Sequence, residues 1–211
     1  NNAIALDDFD YMPEERKRLR HELGIADSTF VVGHIGRFMR QKNHELLLRA
    51  FAEFLTQRPD SLLLLIGEGE LRGHITEMIH ALGIEDKVRL LGQRSDVNKL
   101  YSAFDVFCLP SLYEGLAVVG VEAQRSGLPC LFSDKITREV ELSEGIHFLS
   151  IDVGAEKIWV EALEQNYSVG DDNVRQTCHD DRFVSYDIAT QALRLERFYD
   201  EALHVQDRLH N

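Results

Sequence analysis

The chain has little cysteine, little proline and a single tryptophan. Its three cysteines, Cys108, Cys130 and Cys178, lie far apart, and the first two stand in apolar stretches. That argues against a disulfide-stapled secreted scaffold and for buried thiols. No apolar run approaches the roughly 18 residues that read as a membrane-spanning helix. No signal-peptide pattern opens the chain, which starts on Asn1, and a cytoplasmic location is the expectation. Positive charge is scarce: 23 Lys and Arg against 36 Asp and Glu leave a net charge of -13. Such a balance argues against nucleic acid as a partner and against this chain as the main contact with an anionic bilayer. It also makes any local cluster of cations informative. The nine histidines show no chelating spacing, and Cys178-His179-Asp180-Asp181 are neighbours in a polar stretch, a poor geometry for one ion. No metal site and no cofactor are expected.

What remains is an ordinary globular composition over 211 residues, enough for one large domain. Six short runs read as strands: 29–35, 61–66, 88–91, 106–109, 130–132 and 147–150. Those at 61–66 and 106–109 are continuously apolar, as in strands covered on both faces. Segments of helical period separate the strands. Pro13, Glu14 and Glu15 open the first, before Gly24; proline and acids suit a helix start and glycine its end. Asn43 is the expected cap of the next, whose buried face is Leu47, Ala50, Phe51 and Phe54. Further helices are expected after Gly67-Glu68-Gly69 to about Leu82, after a Ser95 or Asp96 cap to about Ala103, and over about 116–126. Another, over 152–166, would bury Ala155, Ile158, Trp159 and Ala162. The pattern is that of an α/β fold, a doubly wound, mostly parallel sheet of about six strands with helices on both faces. Residues 1–10 read as a linker and 11–186 as the domain. Residues 187–211 form a long amphipathic helix with the stripe Ile188, Ala192, Leu195, Tyr199 and Ala202. Left exposed, that stripe is a candidate dimer contact.

Candidate ligand chemistry gathers just past the strands, at Gly36, Gly67, Gly92, Ser111 and Ser133. That is the ligand edge of a doubly wound sheet. After the first strand, Arg37, Arg40 and Lys42 precede a helix. Cations there oppose the helix dipole at a cost of about 0.3–1 kcal/mol each. An arriving anion such as a diphosphate would neutralise them; the other reading is three solvated surface cations. Gly67-Glu68-Gly69 and Gly73 mimic a dinucleotide fingerprint. The acids that should follow, Glu85 and Asp86, precede the next strand instead of ending it, which argues against nicotinamide binding. Gly67 and Gly69 are expected to let backbone approach a ligand closely.

The organising stretch is DVFCLPSLYEGLAVVGVEAQRSG, residues 105–127. It places Glu114 in a loop and Glu122 in the following helix, with Gly115, Leu116 and Ala117 at the helix start. Two carboxylates would repel a phosphate but suit hydroxyl groups, since each accepts two hydroxyl protons. A glutamate in so apolar a helix is costly unless satisfied. A ribose diol is one partner for Glu122; a salt bridge to Arg125 or Arg37 is the other.

E-x7-E after PSLYEG, followed by EAQ..GLPC..SD, resembles the C-terminal half of retaining glycosyltransferases of family 4. These have the GT-B fold, and the branch it is most similar to builds bacterial capsular and exopolysaccharide. The resemblance runs from Asn1 to the last helix. It implies a nucleotide-diphosphate sugar, expected to be a UDP-sugar, as the donor, retention at the anomeric carbon and no required metal. It assigns Arg37 and Lys42 to the diphosphate, and the turn Gln93-Arg94-Ser95 to the nucleobase through backbone groups; a plain capped turn is the other reading. Amides near Gly115 and Leu116 would add donors, Glu122 would take the ribose and Glu114 the sugar. It implies an absent N-terminal half that binds a lipid-linked or polysaccharide acceptor, touches the inner membrane and receives the last helix. The fragment alone is then expected to bind nucleotide without turnover. Ala117 departs from the branch, which commonly has proline there. A GT-B sugar epimerase and a non-catalytic nucleotide-sugar-binding module remain as rivals.

Overall fold

The computed structural model describes residues 3–167 and 175–209, the last helix by its backbone alone beyond residue 201. Six parallel strands form one sheet: β1 (Phe30–Ile35), β2 (Ser61–Ile66), β3 (Val88–Gly92), β4 (Val106–Leu109), β5 (Cys130–Ser133) and β6 (Ile146–Leu149). Their spatial order is β3-β2-β1-β4-β5-β6. The order reverses between β1 and β4, which is where a doubly wound sheet opens a crevice beyond its carboxyl ends.

Side chains alternate between the two faces because a strand has a period of two. Val31, Ile35, Leu62, Leu64, Phe107 and Phe132 pack on one side; Phe30, Val32, Leu63, Leu65, Cys108 and Leu131 pack on the other. Both faces are covered, so β1, β2, β4 and β5 are buried at every position. The first layer is α1 (Pro13–Glu22), α4 (Val97–Ala103) and α5 (Val118–Arg125). The second is α2 (His44–Leu55), α3 (Arg72–Ala81) and α6 (Glu156–Gln165). Cys108 and Cys130 are buried free thiols. In the described part of α7 (Ile188–Leu209), Ile188, Leu195 and Tyr199 are exposed; so are Leu193 and Phe198, off the expected stripe. The side chain of Ala202 lies outside the described residues.

Four local expectations need correction. Asn43 does not cap α2 with its side chain; it adopts a left-handed conformation (φ 51°), and its Nδ2 donates to the Pro110 carbonyl 3.2 Å away. The asparagine thus ties the loop after β1 to the loop after β4. Asp96 stands at the N-cap position of α4, as one reading had it, but its side chain makes no capping bond, because it is held 2.8 Å from Arg94. Ile158 faces solvent, while Ala155, Trp159 and Ala162 carry the buried face of α6. Residues 6–9, in the expected linker, form a short 3-10 turn, with Leu6 and Phe9 against the core.

The amino ends of β1 and β4 are fastened by one carboxylate. Asp105 Oδ1 accepts from Arg16 Nη2 at 2.6 Å, and Oδ2 accepts from Arg20 Nη2 and from the Val31 amide, each at 2.6 Å. The two guanidinium groups also donate to Ser102, Ala103 and Phe104 carbonyls at the end of α4. Helix α1, strand β1 and helix α4 therefore meet at Asp105. Arg175 adds donors to the Tyr101, Phe104 and Ser126 carbonyls, cationic caps at the negative ends of α4 and α5. Removing one partner of a buried ion pair costs about 3–5 kcal/mol, so Asp105→Ala should lower the urea midpoint by that much stability without changing the m-value.

A second buried polar group is neutral. His34 on β1 donates from Nδ1 to the Cys108 carbonyl at 2.9 Å, and its ring meets that of His44 at 4.6 Å. Burial is the first cause, with Lys42 nearby, that lowers His44 from 6.5 to about 4; burial also pushes His34 well below its usual range. The unfolded chain binds these protons and the fold does not. The contribution of His44 is therefore full above pH 6.5 and falls as pH drops towards about 4, by about 1.4 kcal/mol per pH unit, and His34 adds a loss of the same sign. Urea unfolding across that window should show a flatter decline for His44→Phe than for the wild type.

Candidate functional site

Three strand ends build the site. Gly36 N donates to Ile66 O at 2.9 Å, Gly67 N to Gly92 O at 2.9 Å, and Phe38 N to Glu68 O at 3.0 Å. The loops after β1, β2 and β3 are thereby laced together by main chain. Gly67 (φ 138°) is required by sterics: a Cβ would lie 2.1 Å from Gly36 O. At Gly69 it would lie 2.3 Å from Phe38 O. These glycines admit the neighbouring loop of the same chain, a steric requirement that stands whatever the cleft binds. A Cβ on Gly73 would meet nothing within 4 Å, so the third glycine of the fingerprint has no such task.

Above this floor is a cleft of about 530 Å³. Ile35, Gly36 and Arg37 line it from β1, Ile66 to Gly69 from β2, and Gln93, Arg94 and Val97 from the far side. Gly36, Gly67, Gly69, Gln93 and Arg94 thus come together as expected. Ser95 is exposed and outside the lining. Arg94 is tied to Asp96 and Glu22, which leaves it less free than its charge suggests. A larger cavity of about 710 Å³ lies at the opposite edge, beside Gly127, Pro129 and Gly145, before β5 and β6.

The cation cluster divides. Arg37 and Arg40 are exposed and have no side-chain partner among the described residues; of the two, only Arg37 lines the cleft. Lys42 is partly buried and lies behind the cleft floor: a Cβ on Gly36 would be 3.2 Å from its Cδ and Cε. Its Nζ donates to Glu114 Oε1 at 2.5 Å. Ser111 Oγ donates to the same oxygen at 2.7 Å, and Gln41 Nε2 reaches Glu114 Oε2 at 3.3 Å. Gln41 was not singled out from the sequence, and Ser111 was noted there for its place just past β4, not as a partner of Glu114. Adjacency to Lys42 in one case and a position three residues before Glu114 in the other were the available signals.

Helix α5 starts at Val118, after the Gly115-Leu116-Ala117 bend. It is buried on one side, with Gly120, Val121, Ala123 and Gln124 inside, but Val118, Val119 and Glu122 are only half-buried. The open stripe carries the glutamate. Among the described residues Glu122 has no cation: Arg125 turns to Asp10 at 2.7 Å and Asp7 at 3.4 Å, and Arg37 stands apart. Its Oε2 accepts from the Tyr101 hydroxyl at 2.6 Å. Burial raises its carboxyl above the usual range, and the tyrosine bond opposes that. Glu122 is not among the residues lining the cleft; Tyr101 stands one turn beyond Val97, which is. The salt-bridge reading of Glu122 is therefore excluded, and a desolvated acceptor remains.

The arrangement offers a guanidinium without a partner among the described residues, over a floor of glycine main chain, with Lys42 on Glu114 behind that floor and Glu122 outside the lining, held by Tyr101. Among the described residues, no group of three His, Cys, Asp or Glu side chains could hold a metal ion, and no helix is long and apolar enough to cross a membrane.

The chain is similar to several known proteins. EpsF of Bacillus subtilis is 42% identical over 133 residues, which is 63% of this chain and 34% of that protein. The UDP-Gal:alpha-D-GlcNAc-diphosphoundecaprenol alpha-1,3-galactosyltransferase of Escherichia coli is 35% identical over 116 residues, 53% of this chain and 30% of that one. HepE of Anabaena, solved in complex with UDP and glucose, superposes with a TM-score of 0.75 at 23% identity over 94% of this chain and 55% of its own. The chain thus spans about a third of these two curated relatives and about half of the structural one. The family described as Glycosyl transferases group 1 matches residues 15–169, most of the chain, and the protein belongs to that family.

Proposed function

We propose that this chain is the donor-binding half of a glycosyltransferase that takes a hexosyl group from a UDP-sugar with retention. Two observations carry the reading: Arg37 in the cleft without a partner among the described residues, and a desolvated Glu122 held by Tyr101, which stands one turn along α4 from Val97 in the cleft lining. A diphosphate over the Gly36 floor would satisfy the first, and a ribose diol the second. Lys42 would add to the diphosphate site and stabilise charge on the leaving group. In the unliganded protein Lys42 is committed to Glu114. Diphosphate drawing on the ammonium would loosen that bond and free Glu114 for the sugar's hydroxyls. Amides at Gly115, Leu116 and Ala117 would supply donors at the start of α5. Two relatives support the donor class: one holds UDP and glucose, another uses UDP-Gal on a diphosphoundecaprenol-linked sugar.

The finer assignments follow from the same reading. The acceptor is a lipid-linked or polysaccharide chain bound by an N-terminal half, and the lineage is family 4 in its capsular and exopolysaccharide branch. Residues 1–10 lead from that half and 187–211 return to it or pair two copies. The protein works in the cytoplasm at the inner membrane, without metal or cofactor, and the 211-residue chain binds donor without turning it over. An epimerase would need its own acid and base in the cleft, where the carboxylate present, Glu68, is paired with Arg72 at 2.6 Å. Transfer of radiolabelled sugar by the protein with both halves separates an enzyme from a binding module.

Calorimetry with UDP and uridine tests the assignments. A hydrogen bond to a charged group contributes about 1.5–3 kcal/mol, so Arg37→Ala should weaken UDP about 10- to 100-fold and uridine little. Equal losses would remove Arg37 from the phosphate site. Glu122→Gln should weaken UDP about 10-fold with a similar melting temperature, since the amide oxygen still accepts from Tyr101. Unchanged affinity would end the ribose assignment.

A further inference from the structure

Tyr101 is fully buried in α4. Its ring is held edge-on by Phe9, Phe104 and Phe107, with centroids 6.0, 6.0 and 5.8 Å away. So caged, the phenol cannot swing away from α5. Its hydroxyl has one proton and two acceptors in reach, Glu122 Oε2 at 2.6 Å and the Val119 carbonyl at 3.3 Å. The shorter contact is to the carboxylate, the stronger acceptor. Burial pushes the phenol well above its usual range, so it stays a donor.

Other titratable groups on the elements packed against α5 are engaged elsewhere or exposed. Asp7 faces Arg125, Lys99 faces Glu15 and Arg182 faces Asp180. Tyr186 and Cys130 donate to carbonyls of Glu139 and Leu128, and Asp8 and Asp181 are exposed. Arg125, on α5 itself, turns to Asp10. Tyr101 is thus the group that holds the Glu122 side chain among the described residues.

We infer that Tyr101 is a positioning residue for nucleotide binding: its hydroxyl fixes Oε2 of Glu122 and leaves Oε1 to take the cis-diol of the ribose. The inference rests on the ribose reading above. Two consequences follow. The carboxylate arrives with one torsion already fixed, so less freedom is lost on binding. The bond also favours the ionised carboxylate, which keeps the acceptor charged to lower pH than burial alone would allow.

The test is calorimetry of the 211-residue chain across acidic to neutral pH, with UDP and with UDP lacking both ribose hydroxyls. The analogue carries the same phosphates, so their titration cancels in the comparison. Wild type should prefer UDP, and the preference should fade as pH drops and Glu122 protonates. In Tyr101→Phe that fading should begin about one pH unit higher, and the preference at neutral pH should fall about tenfold, with affinity for the analogue unchanged. If wild type discriminates and Tyr101→Phe matches it in both respects, the positioning role is overturned and the ribose reading stands. If wild type binds both nucleotides alike, the ribose reading fails and this inference with it. Should Tyr101→Phe melt out, wild type labelled with fluorotyrosine replaces it. The more acidic phenol donates more strongly and should move the fading to lower pH; no movement overturns the role.

Discussion

One buried carboxylate, Asp105, sets the frame in which everything else is placed. It sits where β1 and β4 begin, the pair of strands between which the sheet reverses its winding. Two arginines from α1 and a strand amide converge on it. Burying charge is costly unless the geometry satisfies donors and acceptors, and here backbone carbonyls at the end of α4 and in the turn before β1 accept further guanidinium protons. The consequence is positional. With the amino ends of β1 and β4 locked, their carboxyl ends deliver Gly36-Arg37 and Pro110-Ser111 to adjacent places. Asn43 then joins the two loops at the far end through the Pro110 carbonyl.

The fold was legible because its signals are local and repeated. Apolar runs such as SLLLLI need both faces covered, and the strand it predicted coincides with β2 residue for residue. Proline before Glu14 and Glu15 marked α1 correctly. What failed were side chains whose role depends on distant partners. Asn43 looks like a cap in sequence, but a carbonyl 67 residues away claims it. Asp96 looks like a cap, but Arg94 two residues earlier claims it. Ile158 has helical spacing with Trp159, yet lies too far round α6 to reach the sheet.

The candidate site was legible in part. Glycines after strands, the cations after β1 and the carboxylates around α5 could be read because each is unusual for its setting. Their division was not readable. Nothing in the local sequence says that Lys42 rests on Glu114 while Arg37 stands free, or that Tyr101 supports Glu122 across two helices. Such contacts depend on which loops the topology brings together. Gly67 shows the same limit: its glycine was noticed, but its reason, the oxygen of Gly36, belongs to another loop.

The main-chain lacing of the three strand-end loops has a mechanical consequence. Gly36 hangs on Ile66, Phe38 on Glu68, and Gly67 on Gly92, so the segments are coupled in series like rungs. A pull on the first loop strains the third, although no side chain connects them. The stiffness between the two ends of the crevice is therefore a property of peptide groups. Surface substitutions can then vary what the crevice recognises without loosening the ruler that spaces its two ends.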